Sequence, residues 1–123
     1  MTQNQWLRVA GLIGFWGVAM GAFGAHVLSG YMAEPSLEVY DVGVRYHIIH
    51  SLAMLALSAR PSSSAFPVAY TRACWAWLVG IILFSGSLYL LSITTVKWMG
   101  MITPFGGVAL LLGWLVLVVP EKE

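Results

Sequence analysis

Charge is what this sequence has least of. Asp, Glu, Lys and Arg together make up 9% of its 123 residues, against about 25% in an ordinary soluble domain. A water-facing surface cannot be covered with so few ionised groups, so a soluble globular domain is excluded. The net charge of +1 leaves no basic field to attract nucleic acid. A single cysteine, Cys74, excludes an internal disulfide and a zinc site of the usual cysteine-built kind. Paired carboxylates, a nucleophile beside a base and a phosphate-binding loop are all missing as sequence signals, so an enzyme has the least support of any reading. Low-complexity sequence is confined to the short run Ser62, Ser63, Ser64.

What is present is apolar. Hydrophobic residues are 59% of the chain and the mean hydropathy is +0.83, which makes lipid the natural surroundings. Four apolar stretches stand out, at about 6–28, 40–59, 73–93 and 101–119. Each has the roughly 19 to 23 residues that cross ~30 Å of hydrocarbon at ~1.5 Å per residue. They lack the alternation of a β-barrel strand, and a backbone in lipid must satisfy itself within each segment, so they are helices. The expected fold is all-α: one integral-membrane domain over residues 1–123, a four-helix bundle with short loops. Pro61 and Pro67 bracket the 60–72 loop, Pro120 ends the fourth span, and Pro104 sits at its start, where a missing N–H costs little. Ser36 is placed to cap a helix beginning at Leu37. The first stretch also mimics a signal peptide, with Arg8, an apolar run and Gly21, Ala22, Gly24 and Ala25. Its run is long for that role, and Gly11, Gly14 and Gly17 suit helix packing better.

Orientation follows from the basic residues. Four spans put both termini and the 60–72 loop on one side, with Arg8, Arg60, Arg72 and Lys122. The other side holds Arg45 and Lys97. The excess places both termini in the cytoplasm.

Four ordered runs carry a family likeness: Gly21-Ala22-Phe23-Gly24-Ala25-His26, Tyr46-His47-Ile48-Ile49-His50-Ser51-Leu52-Ala53, Leu83-Phe84-Ser85-Gly86-Ser87-Leu88-Tyr89-Leu90-Leu91, and Ile102-Thr103-Pro104-Phe105-Gly106-Gly107-Val108. Together, over nearly the full length, they resemble domain-of-unknown-function family number 423. These are small bacterial inner-membrane proteins with a small transmembrane relative in eukaryotes. The resemblance implies a multi-pass inner-membrane protein. It implies no activity and supplies no catalytic residues.

With that topology, the unusual polar residues of the spans fall in the outer half: His26, Asp41, Arg45, Tyr46, His47, His50, Ser85, Ser87, Tyr89 and Thr103. Asp41 and Arg45 stand four apart with the acid first, the better order for an ion pair. The plain reading is an anchor at the headgroups with Arg45 snorkelling; the sharper one is an ion gate. Gly43, His47, His50 and Met54 share another stripe. His50 lies about ten residues into its span, roughly 15 Å deep at the helical rise. An ionisable group there is a functional candidate, either in a relay or as a metal or haem ligand with His47 and His26. The structural alternative is an inward-facing imidazole bonded to third-span hydroxyls or a carbonyl. His26 is placed to cap the end of the first span. Gly14, Gly17, Gly21, Ala25, Gly86, Gly106, Gly107 and Gly113 are the expected helix-packing positions. Trp6, Trp75 and Trp98 suit the interfacial belt, and Trp16, Trp77 and Trp114 suit the interior.

The first functional reading is a non-enzymatic structural or accessory component of a membrane assembly, held in the bilayer and associating with itself or another membrane protein. The alternatives are a conduit for a small solute, proton or ion along the outer-half polar groups, and a His-ligated metal or haem component. No cofactor is assigned, and metal binding by the histidines is left open.

Overall fold

The computed structural model describes residues 1–61 and 65–120. Ser62, Ser63 and Ser64 of the serine run, and the tail Glu121, Lys122 and Glu123 with the basic group counted above, lie outside the described residues. Every regular element among the described residues is helical.

Helix α1 spans Gln3–His26. Thr2 caps it: the Gln5 N–H donates to the Thr2 hydroxyl at 3.2 Å, and the Thr2 N–H donates to the Gln5 amide oxygen at 2.8 Å. Two otherwise unpaired donors are thereby satisfied reciprocally. A 3-10 turn, Leu28–Gly30, leads to α2, Glu34–Ser58. This helix begins at Glu34 and not at Leu37, so Ser36 is not its cap; Ala33 holds that position, with Pro35 in the first turn. There proline has no helical N–H bond to lose, and its fixed φ suits the helix. The third rod is continuous: α3 (Val68–Gly80), a π-helical segment (Ile81–Ser85) and α4 (Gly86–Thr94). Thr95, in the left-handed region at φ 57°, stops it. A 3-10 segment, Lys97–Met101, then feeds α5, Thr103–Val118, with Pro104 in its first turn.

Three segments are long and apolar enough to cross a membrane: Gln3–Gly30, Val68–Thr94 and Lys97–Val118. Helix α2 has the length, at 25 residues, but is not among the three. Asp41, Arg45, His47, His50 and Ser51 interrupt its apolar character.

The rods form two antiparallel pairs. Helix α1 lies along α2, with the Gln3 amide donating to the Ser58 and Arg60 carbonyls at one end and Tyr40 reaching Met20 towards the other. Helix α5 lies along the third rod, Gly113 against Trp77, Gly80 against Leu110 and Gly106 against Phe84. The pairs meet where α2 contacts α4 and the π segment. An apolar core of Trp6, Ala10, Met54, Ala73, Cys74, Trp77, Ile81 and Leu110 fills the half nearer the termini. Large apolar side chains face outwards, among them Phe105, Leu111 and Val118 on α5, a surface suited to lipid and not to water.

Several positions differ from the sequence reading. Trp6 is fully buried and not in a belt, because α1 starts at Gln3 and its first turns already pack against α3, the Trp6 ring edge-on to Trp75 at 5.0 Å. Trp16 and Trp114 are exposed and not interior, and only Trp77 of the three is buried. Ala25 is exposed and Gly86 meets nothing within 4 Å, so neither lies at a close crossing. At the level of Gly86 the contacts with α2 and α5 are made by its neighbours Ser85 and Ser87. Gly17 lies against Ile48 and His47, Gly21 against Val44 and Gly14 against Ser51, while Gly107 touches Phe84 more loosely. Gly24, Gly43 and Gly80 sit at close approaches that the sequence did not single out.

The tightest crossing generates a test. A Cβ at Gly106 would fall on the backbone N and Cα of Phe84, which cannot swing aside as a side chain can. Gly106→Ala should therefore lower stability in detergent by about 1–3 kcal/mol, the usual cost of overpacking. Gly86→Ala should leave the melting temperature unchanged or raise it. Equal melting of Gly106→Ala and the unaltered protein would rule out this crossing.

Candidate functional site

His47, His50, Tyr40, Ser85, Ser87 and Tyr89 pair with other side chains or with backbone carbonyls, and glycine makes three of these contacts possible. The buried indole N–H groups of Trp6 and Trp77, by contrast, have no partner among the described residues. In a helix the side chain of residue i covers the turn on its N-terminal side. Where residue i is glycine, the carbonyl of residue i−4 lies uncovered and keeps a lone pair beyond its helical bond. The His47 ring lies over Gly17, and its Nε2–H donates to the Ile13 carbonyl at 2.9 Å. The Tyr40 ring lies over Gly24, and its hydroxyl donates to the Met20 carbonyl at 2.5 Å. Both acceptors sit four residues before the glycine. On α2, Gly43 is covered by the Tyr89 ring, and its own carbonyl accepts from the Ser85 hydroxyl at 2.7 Å.

The hydrogen-bond partners fix the two buried imidazoles in opposite tautomers. A carbonyl only accepts, so His47 carries its proton on Nε2, and Nδ1 accepts from the Tyr89 hydroxyl at 2.8 Å. His50 is reversed: Nδ1–H donates to the Tyr46 carbonyl one turn earlier at 2.7 Å, and Nε2 accepts from the Trp114 indole N–H at 2.9 Å. Both rings are buried, and each has its lone pair engaged. Thr103 joins α5 to α4 by donating to the Ser87 hydroxyl at 2.6 Å, while Ser87 donates to the Phe84 carbonyl at 2.9 Å. The His50 ring is boxed by aromatics, with centroids 6.0 Å from Tyr46, 6.2 Å from Trp77 and 5.8 Å from Trp114. Beside it a cleft of about 540 Å³ opens between α2 and α5, walled by Tyr46, Ile49, Phe84, Val108, Leu111 and Trp114.

Of the residues singled out from sequence, the fold gathers His47, Tyr89 and Ser85 into one layer, puts Ser87 with Thr103, and sets His50 apart among aromatics. Tyr46 contributes its ring, 4.9 Å from Phe84. His26 is exposed at the end of α1, where the closing backbone bond runs from Val27 to Phe23. Asp41 and Arg45 are both exposed on α2, and no ion pair joins them. His50 does face inwards, but towards α5 and its own helix, and not towards the third-span hydroxyls. Among the described residues no three His, Cys, Asp or Glu side chains gather in a metal-sized group. Sequence reasoning missed Tyr40 and the Trp114 N–H. Tyr40 stood at a span boundary, and the signal for it was Gly24, whose inward face needed a partner. Nothing in the α5 sequence pointed Trp114 at a histidine.

Comparison with known proteins agrees with the likeness read from the four runs. Residues 20–107 match the family described as a protein of unknown function, DUF423. The UPF0382 membrane protein YwdK of Bacillus subtilis is 42% identical over 83% of this chain and 83% of its own. The UPF0382 membrane protein of Haemophilus influenzae is 39% identical over 94% of this chain and 91% of its own. The UPF0382 inner membrane protein YgdD of Escherichia coli is 37% identical over 97% and 90%. No solved structure matches the chain. With three segments fit to span a bilayer and these relatives, the chain is a bacterial inner-membrane protein and belongs to the DUF423 family.

Proposed function

We propose that this protein is a non-enzymatic component of a membrane assembly, a single domain crossing the bilayer four times with both termini in the cytoplasm. One observation carries the reading. Four buried polar side chains hold helix to helix, His47 with Ile13 and Tyr89, Ser85 with Gly43, His50 with Trp114 and Ser87 with Thr103, while Ser51 and Ser92 bond within their own helices. Polar groups spent in this way are cross-links, not reagents. The alternative of a proton relay is disfavoured by where the chain of bonds ends. From Tyr89 through His47 it runs into the Ile13 carbonyl, which accepts a hydrogen bond but does not take up and release a proton. A ligand role for the two buried histidines would require breaking both sets of bonds.

The four-span reading is supported by the pairing. Helix α2 runs antiparallel to α1, a segment able to span, and packs on α4, part of another. Its His47, His50 and Ser51 face protein, where hydrogen bonding removes their cost in hydrocarbon, while Glu34, Glu38, Asp41 and Arg45 are exposed. Arg8, Arg60 and Arg72 gather at the end that holds the N-terminus. Cys74 is fully buried and unsuited to labelling. A cysteine at Ala65, which is exposed in the loop, placed in a Cys74→Ser background, should react with an impermeant thiol reagent only after spheroplasts are opened. Labelling of intact spheroplasts would reverse the orientation.

The assembly role is tested at the cleft beside α5. A photo-crosslinking residue at Val108 should give one discrete adduct in native membranes, with the same protein or a partner of defined mass. At Phe15, on the outer face of α1, it should give only lipid. Lipid-only products at both positions, together with proton or ion flux in reconstituted vesicles that His47→Leu abolishes, would establish the conduit instead. The cross-link role has its own measure. A double-mutant cycle of His47→Leu and Tyr89→Phe should return a coupling of about 0.5–1.5 kcal/mol in detergent unfolding, the range of interhelical bonds in membranes. Tyr46→Phe, which removes a hydroxyl with no bond among the described residues, should show no coupling to either.

A further inference from the structure

At the end of the molecule holding the N-terminus, three rods stop at one level: α2 at Ser58, α3 at Val68 and α5 at Val118. Between them lies a cleft of about 400 Å³, lined by Arg60, Pro67, Tyr70, Leu117 and Val119 among others. The Arg60 guanidinium carbon sits 5.4 Å above the centre of the Tyr70 ring. The ring is itself braced edge-on by Phe66 at 5.8 Å, and the Arg60 carbonyl is held by the Gln3 amide. The cation therefore lies over an aromatic ring that is itself braced, and its side chain is half-buried. Among the described residues no carboxylate pairs with it, and neither the guanidinium nor the Tyr70 hydroxyl makes a hydrogen bond.

We infer that this cleft is a binding site for the phosphodiester headgroup of an anionic phospholipid. Two features select that chemistry. A planar guanidinium presents paired N–H donors that match phosphate oxygens, with the phenol hydroxyl beside it as a further donor. The floor, Leu117, Val119 and Pro67, is apolar and would receive glycerol and the first acyl carbons, which free phosphate lacks. The level is right as well, since helix ends with an arginine and a tyrosine lie at the headgroups, and basic pockets there are where anionic lipids are held. The inference rests on the membrane setting and not on the assembly role, so either can fail without the other.

Native mass spectrometry of the full chain released from detergent micelles provides the test. The probes are dioleoyl phosphatidylglycerol, dioleoyl phosphatidylcholine and inorganic phosphate, each added alone. One phosphatidylglycerol should bind at least about fivefold more tightly than phosphatidylcholine, the effect of one basic group at an anionic surface, and inorganic phosphate should give no adduct. Arg60→Gln should remove that preference while Arg72→Gln, an exposed arginine nearby in the sequence, keeps it. Should Arg60→Gln fail to fold, Tyr70→Leu removes the platform alone and should weaken phosphatidylglycerol in the same way. Equal losses from Arg60→Gln and Arg72→Gln, no preference between the two lipids, or phosphate binding that depends on Arg60 would each overturn the site.

Discussion

The hydrogen bond from His47 to the Ile13 carbonyl, made across Gly17, is the contact on which the rest of the arrangement depends. It settles how close α1 and α2 lie, because the imidazole reaches the carbonyl only where no Cβ stands in the way. It settles the tautomer of His47, and so makes Nδ1 an acceptor for Tyr89. Tyr89 in turn lies over Gly43, whose carbonyl takes the Ser85 hydroxyl. One donor on one carbonyl thus fixes two helix crossings and the position of the third rod. In hydrocarbon, where van der Waals packing and such bonds replace the hydrophobic effect between helices, this amounts to the organising interaction among α1, α2 and the third rod.

Much of this was legible in the sequence, though unevenly. Three of the rods could be read from apolar length alone, and these are the segments fit to span a bilayer. The second rod, expected over 40–59, is helical over Glu34–Ser58, yet the six Asp, Glu, Arg and His residues from Glu34 to His50 keep it off the set of strongly apolar segments. The stripe of Gly43, His47 and His50 proved inward, as helical periodicity requires. Periodicity names the face, however, and not what stands opposite. His47 meets α1 and α4, while His50, three residues on, meets α5, and only the packing of four rods separates those environments.

The π segment shows a second limit. Nothing in Ile81-Ile82-Leu83-Phe84-Ser85 announces a wider turn. At its end and just beyond, Ser85 and Ser87 serve two neighbours, α2 and α5, while Gly86 between them meets nothing within 4 Å. Gly106 seats itself on the backbone at that turn. The irregularity and the glycine that accommodates it lie on separate rods, so neither could be inferred from its own surroundings. Asp41 and Arg45 illustrate the reverse case: their spacing permits an ion pair, but both side chains are exposed and none forms between them.

The Gln3 amide, which holds the Ser58 and Arg60 carbonyls, bears on the order of assembly. With His47 on Ile13 and Tyr40 on Met20, it closes α1 and α2 into a hairpin stitched at both ends and in the middle, using only residues from the first half of the chain. The second half closes similarly on its glycines and on Ser87 with Thr103. Between the halves lie the shared apolar core and a small set of polar links, Ser85 to Gly43, Tyr89 to His47 and Trp114 to His50. A chain emerging from its N-terminus can therefore make the stitches of its first hairpin before the second half exists, whereas the burial of Trp6, Ala10 and Met54 has to wait for Trp77 and Ile81.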